Sequence, residues 1–472
     1  MYRQLYSKNL ILSIQNKIIY LFATEQKIIV VGGNAAGPSA AAKAKRTAPD
    51  AEVILFEAGS FISTGTCELP YLLSHVIDDY KKLVFFSPEQ FYSEKGVKVY
   101  TQHFVESIDR KSKSITVINQ NDGSRYNYEY DKLILSTGAV ARRLPGKPEN
   151  VSNLFTLKSV SDYLRISAYL KSHQAKNVVI FGAGYIGIET AENLRSAGYS
   201  VTILEKADLP LPSGEIEISN LIKHKLEETG IEFIGGILTY KFNVRNGKIY
   251  SVNIDGRIID SDMIISAVGF KPNNQLAISA GLKTGERGGI AVNNKLQTSD
   301  TDIYAAGDCI EIQNFVTNRT DYIPLATLAH SQGHIAGANA SGSNEFFHPA
   351  VKNIAVKIFD NVYSSVGINS DEAKRNEIHF EEVHTLAPNL VKVMPRSKKT
   401  FGKLIFEKSS KRILGAEFFG YSEVVGYADL IAALILRKET VEFLTRINFN
   451  YTPPNSPFIN ILSILGRKAL NK

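Results

Sequence analysis

"NVVIFGAGYIGIETAENL", residues 177–194, decides the fold. Asn177 to Phe181 is a short apolar run of the kind that fills a buried parallel strand. Gly182, Gly184 and Gly187 follow in full G-x-G-x-x-G register and open a helix-forming segment. Strand, glycine turn and helix in that order bring backbone N–H groups and a helix N-terminus to a pyrophosphate. "VTILEK" then ends a second strand at Glu205, 18 residues after Gly187. A carboxylate there accepts hydrogen bonds from a ribose diol.

The same grammar occurs once more, upstream. "KIIVVGGNAAGPSAAAKAKR", residues 27–46, carries Gly32, Gly33 and Gly37, with Asn34 in the middle glycine place. "VILFEAG" places Glu57 20 residues after Gly37. Alone this motif is weak. Two dinucleotide signatures 150 residues apart in one chain are far more specific than either.

Two further stretches tie the copies together. "LILSTGAVARRLPG", residues 133–146, reads as a strand ending in Ser136, Thr137 and Gly138. "SDTDIYAAGDC", residues 299–309, reads as a strand running into Gly307 and Asp308.

On these residues the chain resembles the pyridine nucleotide-disulfide oxidoreductases, flavoproteins with one FAD and one NAD(P)H site. The resemblance runs from about residue 27 to the C-terminus. It implies an α/β fold with two Rossmann-like dinucleotide-binding domains plus a C-terminal α+β dimerisation domain. It also implies that Gly32, Gly33, Gly37, Glu57 and Asp308 hold FAD, with Ser136, Thr137 and Gly138 at a crossing between domains. Gly182, Gly184, Gly187 and Glu205 then hold the nicotinamide cofactor, and Gly269 marks the return crossing. Glu205 favours NADH over NADPH, because a carboxylate repels a 2′-phosphate.

The expected layout is interleaved. Residues 1–26 form an N-terminal extension whose apolar spacing suits an amphipathic helix. Residues 27–145 and 270–345 build the FAD domain, 146–269 the NAD domain and 346–472 the dimerisation domain. A continuous helix is expected across "EVVGYADLIAALILRKETVEFLTRI", residues 423–447.

"FISTGTCELPYLLS", residues 61–74, holds Cys67, and the only other cysteine is Cys309. Gly65 and Thr66 suit a turn and a helix N-cap. Cys67 is then expected at a helix N-terminus, where a thiol's pKa falls. Ser63, Cys67, Leu69, Pro70 and Tyr71 resemble the S-F-x-x-C-x-L-P-Y pattern of the single-cysteine branch. That branch holds coenzyme A-disulfide reductases, persulfide reductases, NADH oxidases and NADH peroxidases. Ala35 stands where the peroxidase and oxidase members carry a histidine, which argues against peroxide chemistry. "INFNYTPPNSPF", residues 447–458, resembles that branch's Y-x-P-P turn and makes Tyr451 the candidate proton donor, reaching the other subunit of a homodimer.

The resemblance therefore implies a reductase of coenzyme A disulfide, a persulfide or polysulfide, with Cys67 and Tyr451 catalytic. Arg46, Ser63 and Lys81 are the candidate substrate contacts, the two cations for coenzyme A phosphates. The alternatives are an H2O2-forming NADH oxidase and a reductase of an electron-transfer protein.

Composition bounds the rest. Of 472 residues, 44% are hydrophobic and 21% charged, ordinary for a globular chain. Two cysteines point away from a disulfide framework and toward a reducing, cytoplasmic compartment. No apolar run is long enough to span a membrane. The net charge of +7 lacks any Lys/Arg block dense enough for nucleic acid. No metal-ligand spacing is present.

Overall fold

The computed structural model describes residues 25–472, so the expected helix within residues 1–26 lies almost wholly outside the described residues. Chain order and spatial order part company at once. The strands Lys27–Val31, Glu52–Phe56, Lys98–Tyr100, Lys132–Leu135 and Ile303–Ala305 form one five-stranded sheet, in which 303–305 lies beside 132–135. All its pairings are parallel. Parallel sheets are covered on both faces, and Ile28, Ile29 and Val30 are at most 1% exposed.

The intervening chain builds a second five-stranded sheet. Leu154–Phe155, Met263–Ser266, Asn177–Phe181, Ser200–Leu204 and Glu232–Ile234 pair in parallel. Entry and exit lie side by side, since Ala139–Ala141 pairs antiparallel with Phe270–Pro272. The second unit is thus an insertion hung on a two-strand ladder.

The helices Ala36–Thr47 and Ala326–Ala340 pack on the first sheet with their backbones in contact. Glycine is required there: a Cβ at Gly333 would sit 2.1 Å from the Ala36 carbonyl, and one at Gly337 would sit 2.1 Å from that of Ala40.

Residues 353–420 form a five-stranded antiparallel sheet capped by the helix Glu423–Leu436. The expected long helix breaks at its middle. Lys438 takes a φ of +56°. Ile413 N–H then donates to Glu439 O (3.0 Å) and Val441 N–H to Lys411 O (2.9 Å). The hairpin edge captures residues 439–441, and only Phe443–Arg446 resumes helix.

Candidate active site

The two glycine turns share one hydrogen-bond plan. Glu57 Oε2 accepts from Gly33 N–H (2.6 Å) and its Oε1 from Gly59 N–H (2.5 Å). Glu205 Oε2 accepts from Ala183 N–H (2.7 Å) and its Oε1 from Ala207 N–H (3.0 Å). Each carboxylate is therefore held at the lip of its turn. A Cβ at Gly37 would lie 1.8 Å from Gly32 O, and one at Gly187 would lie 2.0 Å from Gly182 O. The turns close that tightly because glycine stands at both ends.

The surfaces offered to a ligand differ in kind from these contacts. A Cβ at Gly184 or Gly138 would meet nothing within 4 Å. The backbone there faces open space, as a phosphate-binding loop must. Ser136 Oγ donates to Val31 O (2.8 Å), and Thr137 Oγ1 to Asn273 O (2.6 Å), so this segment joins the first sheet to the crossing. Gly269, at a φ of +94°, offers its carbonyl to Arg142 N–H (2.9 Å) on the opposite strand.

Asp308 follows Gly307, whose N–H donates to Gln332 Oε1 (2.8 Å). Burial pushes the Asp308 carboxyl up. The neighbouring Tyr322 hydroxyl is buried without a partner, and burial and Asp308 push it up too. A buried orphan hydroxyl beside a carboxylate fits a polar ligand such as FAD. Cys309 is fully buried, donates weakly to Ala306 O (3.3 Å) and is pushed up to about 11 by burial.

The cysteine arm is bolted to the first turn. Ser63 N–H donates to Gly33 O (2.8 Å) and Thr64 N–H to Asn34 Oδ1 (2.9 Å). Ser63 thus contacts the glycine turn through its backbone, at a φ of +49°. Asn34 went unassigned in the sequence, although its departure from glycine was visible. Its side chain secures the arm that carries Cys67.

Cys67 is exposed and precedes the helix Leu69–Leu73. Two expectations need correction here. Glu68, not Thr66, occupies the N-cap, and no side chain caps the helix. The Cys67 thiol is pushed up, not down, first by partial burial and then by Glu68, Glu189 and Asp308. A helix of five residues has little dipole, and three carboxylates outweigh it.

Glu189 also escaped the sequence reading, and Tyr71 entered it only as part of the branch pattern, without a partner. The cysteine helix packs against Tyr185–Ser196, the helix of the second glycine turn. Tyr71 Oη donates to Glu189 Oε1 (3.3 Å) and Ser74 Oγ to Asn193 Oδ1 (2.6 Å). Burial lifts the Glu189 carboxyl to about 7 against the Tyr71 hydrogen bond. Glu192, one turn on, is satisfied by Lys357 and by Phe359 N–H (2.8 Å). Cys67 thus stands where the two dinucleotide units meet.

The remaining candidates lie apart. Arg46, in the last turn of Ala36–Thr47, and Lys81, on the turn Tyr80–Leu83, are exposed and without ion pairs among the described residues. Tyr451 is 48% exposed, and its ring meets Phe458 edge-on at 5.3 Å. No hydrogen bond ties its hydroxyl to the rest of the described chain. Phe458 is itself 76% exposed. Among the described residues no cluster could hold a metal and no helix is long and apolar enough to cross a membrane.

Comparison with known proteins yields one family. The model described as pyridine nucleotide-disulphide oxidoreductase matches residues 26–333, and that of its dimerisation domain matches residues 354–456. The coenzyme A disulfide reductase of Staphylococcus aureus is 30% identical over 444 residues, 94% of this chain and 99% of that one. The NADH oxidase of Methanocaldococcus jannaschii is 30% identical over 447 residues, again 94% and 99%. Among solved structures, the NAD-dependent persulfide reductase from A. fulgidus superposes with a TM-score of 0.91 at 31% identity, covering 94% of this chain and 83% of that one. The reduced CoADR-RHD of Bacillus anthracis gives 0.90 at 34%, covering 95% and 80%.

Proposed function

The chain belongs to the pyridine nucleotide-disulphide oxidoreductases, and from that premise we propose that it is an NADH-dependent FAD enzyme reducing a small sulfur substrate through Cys67. The substrate class is coenzyme A disulfide, a persulfide or polysulfide. One observation carries the reading: the exposed thiol stands alone at the junction of the two dinucleotide units.

Glycines 32, 33 and 37 with Glu57, Asp308 and the Ser136–Gly138 segment would hold FAD. Glycines 182, 184 and 187 with Glu205 would hold NADH, and Gly269 lets the chain return between the two. When bound, FAD supplies a two-electron relay between nicotinamide and sulfur. The chain's own step is thiol exchange. Deprotonated Cys67 Sγ attacks one sulfur of the substrate, an S–S bond to Cys67 forms, and the old S–S bond breaks to release a thiolate. Two electrons from NADH then cleave the mixed disulfide, returning Cys67 and a second thiolate. Burial first, then Glu68, Glu189 and Asp308, resist a free negative charge on Cys67, so the thiol's proton must be taken up as it attacks and a proton returned during the cycle.

Tyr451 is the donor we assign to the departing thiolate, from the partner of a homodimer. Its exposed ring, on the family's dimerisation domain and beside exposed Phe458 just beyond that match, supports that placement. Arg46 and Lys81, both without ion pairs among the described residues, are available to coenzyme A phosphates, with Ser63 near the sulfur. A cytoplasmic enzyme fits two unpaired thiols. A second reading, direct oxidation of NADH by oxygen, draws on the Methanocaldococcus relative.

Anaerobic NADH turnover with coenzyme A disulfide, coenzyme A persulfide, polysulfide and peroxide tests the assignment. Cys67→Ser should lower sulfur reduction at least ~100-fold while FAD stays bound. Wild-type rates in the serine variant would overturn it, as would an enzyme that is idle with every sulfur substrate and turns over only in a separate aerobic assay.

A further inference from the structure

A cavity of about 790 Å³ opens between the first dinucleotide unit and the dimerisation domain, and none of its walls belongs to either glycine turn. Pockets of about 300–1,000 Å³ suit small ligands. Three elements form the walls: the loop 285–292, the hairpin that joins Ile312–Gln313 to Thr320–Asp321, and the helix Ser370–Arg375. Each supplies one arginine, Arg287, Arg319 and Arg375 in that order.

The floor holds Glu311, only 3% exposed. Its Oε1 accepts from Arg287 N–H (2.7 Å) and from Gly289 N–H (2.9 Å). A Cβ at Gly285 would sit 2.3 Å from Oε2, so glycine is what lets the loop fold over the carboxylate. This is the plan of Glu57 and Glu205 with one difference. Those two glutamates spread their N–H bonds over both oxygens. Glu311 spends both on one, and its Oε2 is buried without a partner. A buried carboxylate oxygen is rarely left unbonded unless a ligand or water completes it.

The arginines are unspent as well. Among the described residues none of the three has a carboxylate within ion-pair distance. Arg375 Nε donates to Asp371 O (3.3 Å), which leaves its outer nitrogens free. The acids on the same walls are better satisfied. Glu372 pairs with Lys352 and accepts from Asn369 N–H (3.1 Å). Asp321 accepts from Tyr322 N–H (2.8 Å), and Glu286 is exposed. The cavity therefore offers free guanidinium donors at its walls and one free acceptor at its floor. Guanidinium groups match phosphate oxygens, and a glutamate fixed by backbone N–H groups matches a ribose hydroxyl.

We propose that this cavity binds a nucleoside phosphate, with its phosphates on Arg287, Arg319 and Arg375 and a ribose hydroxyl on Glu311 Oε2. The site is a third nucleotide site, separate from the two glycine turns. A ligand seated in it bridges the first unit and the dimerisation domain.

The test is calorimetric titration of ADP into the FAD-loaded full-length protein, with NAD+ at saturation to keep ADP from the second turn. One ADP per chain is expected, with an affinity that falls as salt rises. Arg319→Ala with Arg375→Ala should weaken both ADP and inorganic pyrophosphate at least ~10-fold. Glu311→Gln puts a donor in place of Oε2 and should weaken ADP about 10-fold while pyrophosphate binding holds. Melting of each variant verifies its fold, and the arginine pair, on exposed positions, decides the matter if Glu311→Gln does not fold. No ADP uptake under saturating NAD+ would overturn the proposal, and so would unchanged ADP affinity in the folded arginine variant. Pyrophosphate binding as tight as ADP would remove the nucleoside from it.

Discussion

The first glycine turn and the second make the same carboxylate bonds with different residues, and the differences show what each turn must also do. Gly33 and Ala183 occupy equivalent places, and each donates to its glutamate. Asn34 and Gly184 are also equivalent. Asn34 spends its side chain on Thr64 and so fastens the cysteine arm, whereas Gly184 faces open space. Two residues past the last glycine, Ser39 Oγ donates to His330 O (2.9 Å) and closes the first helix against its neighbour. Glu189 holds that place in the second helix and faces the cysteine helix. One turn is built into its own domain. The other presents groups across a boundary.

The hardest way to break this parallel is at the shared glycines. Gly37→Ala and Gly187→Ala drive a Cβ into a backbone carbonyl, and each should destabilise the protein by about 3 kcal/mol. Gly184→Ala should leave the melting temperature within a degree or two and raise the NADH KM. Equal melting of all three variants would refute the distinction between closure and ligand surface.

A smaller effect separates the two glutamates by cofactor. Glu57→Gln should weaken FAD and leave the NADH-to-NADPH preference alone. Glu205→Gln should retain FAD and shift that preference toward NADPH by about tenfold, since the repelling charge is gone. Steady-state kcat/KM with both nucleotides checks this, and an unchanged ratio in Glu205→Gln would remove its role.

The smallest effect belongs to Glu189. Its folded pKa, about 7, stands above its ordinary 4.5. The neutral form therefore favours the folded state. Its contribution is full below about pH 4.5 and fades as pH rises to about 7. Glu189→Gln should mimic the neutral form and flatten that part of the stability profile. Tyr71→Phe removes a bond that lowers the pKa and should move the inflexion upward. Coincident profiles for wild type and Glu189→Gln would refute this.

The glycines, the two glutamates and the strands before them were legible because their constraints are local. A turn that closes within six residues and a short apolar run that fills a buried strand are written in consecutive positions. The lone Cys67 was equally plain. Its electrostatics were not, because Glu189 lies 122 positions away and Asp308 farther still. The N-cap was misread for a related reason. Thr66 is the better capping residue by type, but the arm's attachments at Ser63, Thr64 and Gly65 place the helix start at Glu68.

The sequence by itself determined two dinucleotide units, their order and the cysteine that follows the first. It could do so because backbone stereochemistry and hydrophobic period act between near neighbours. Only the tertiary structure decided that Tyr71 meets Glu189 and that Asn34 holds the cysteine arm. Those pairings join residues 30 and 118 positions apart, the second across the boundary between the two units. Charge and burial act through space, and no local pattern records which side chains the fold will bring within their reach.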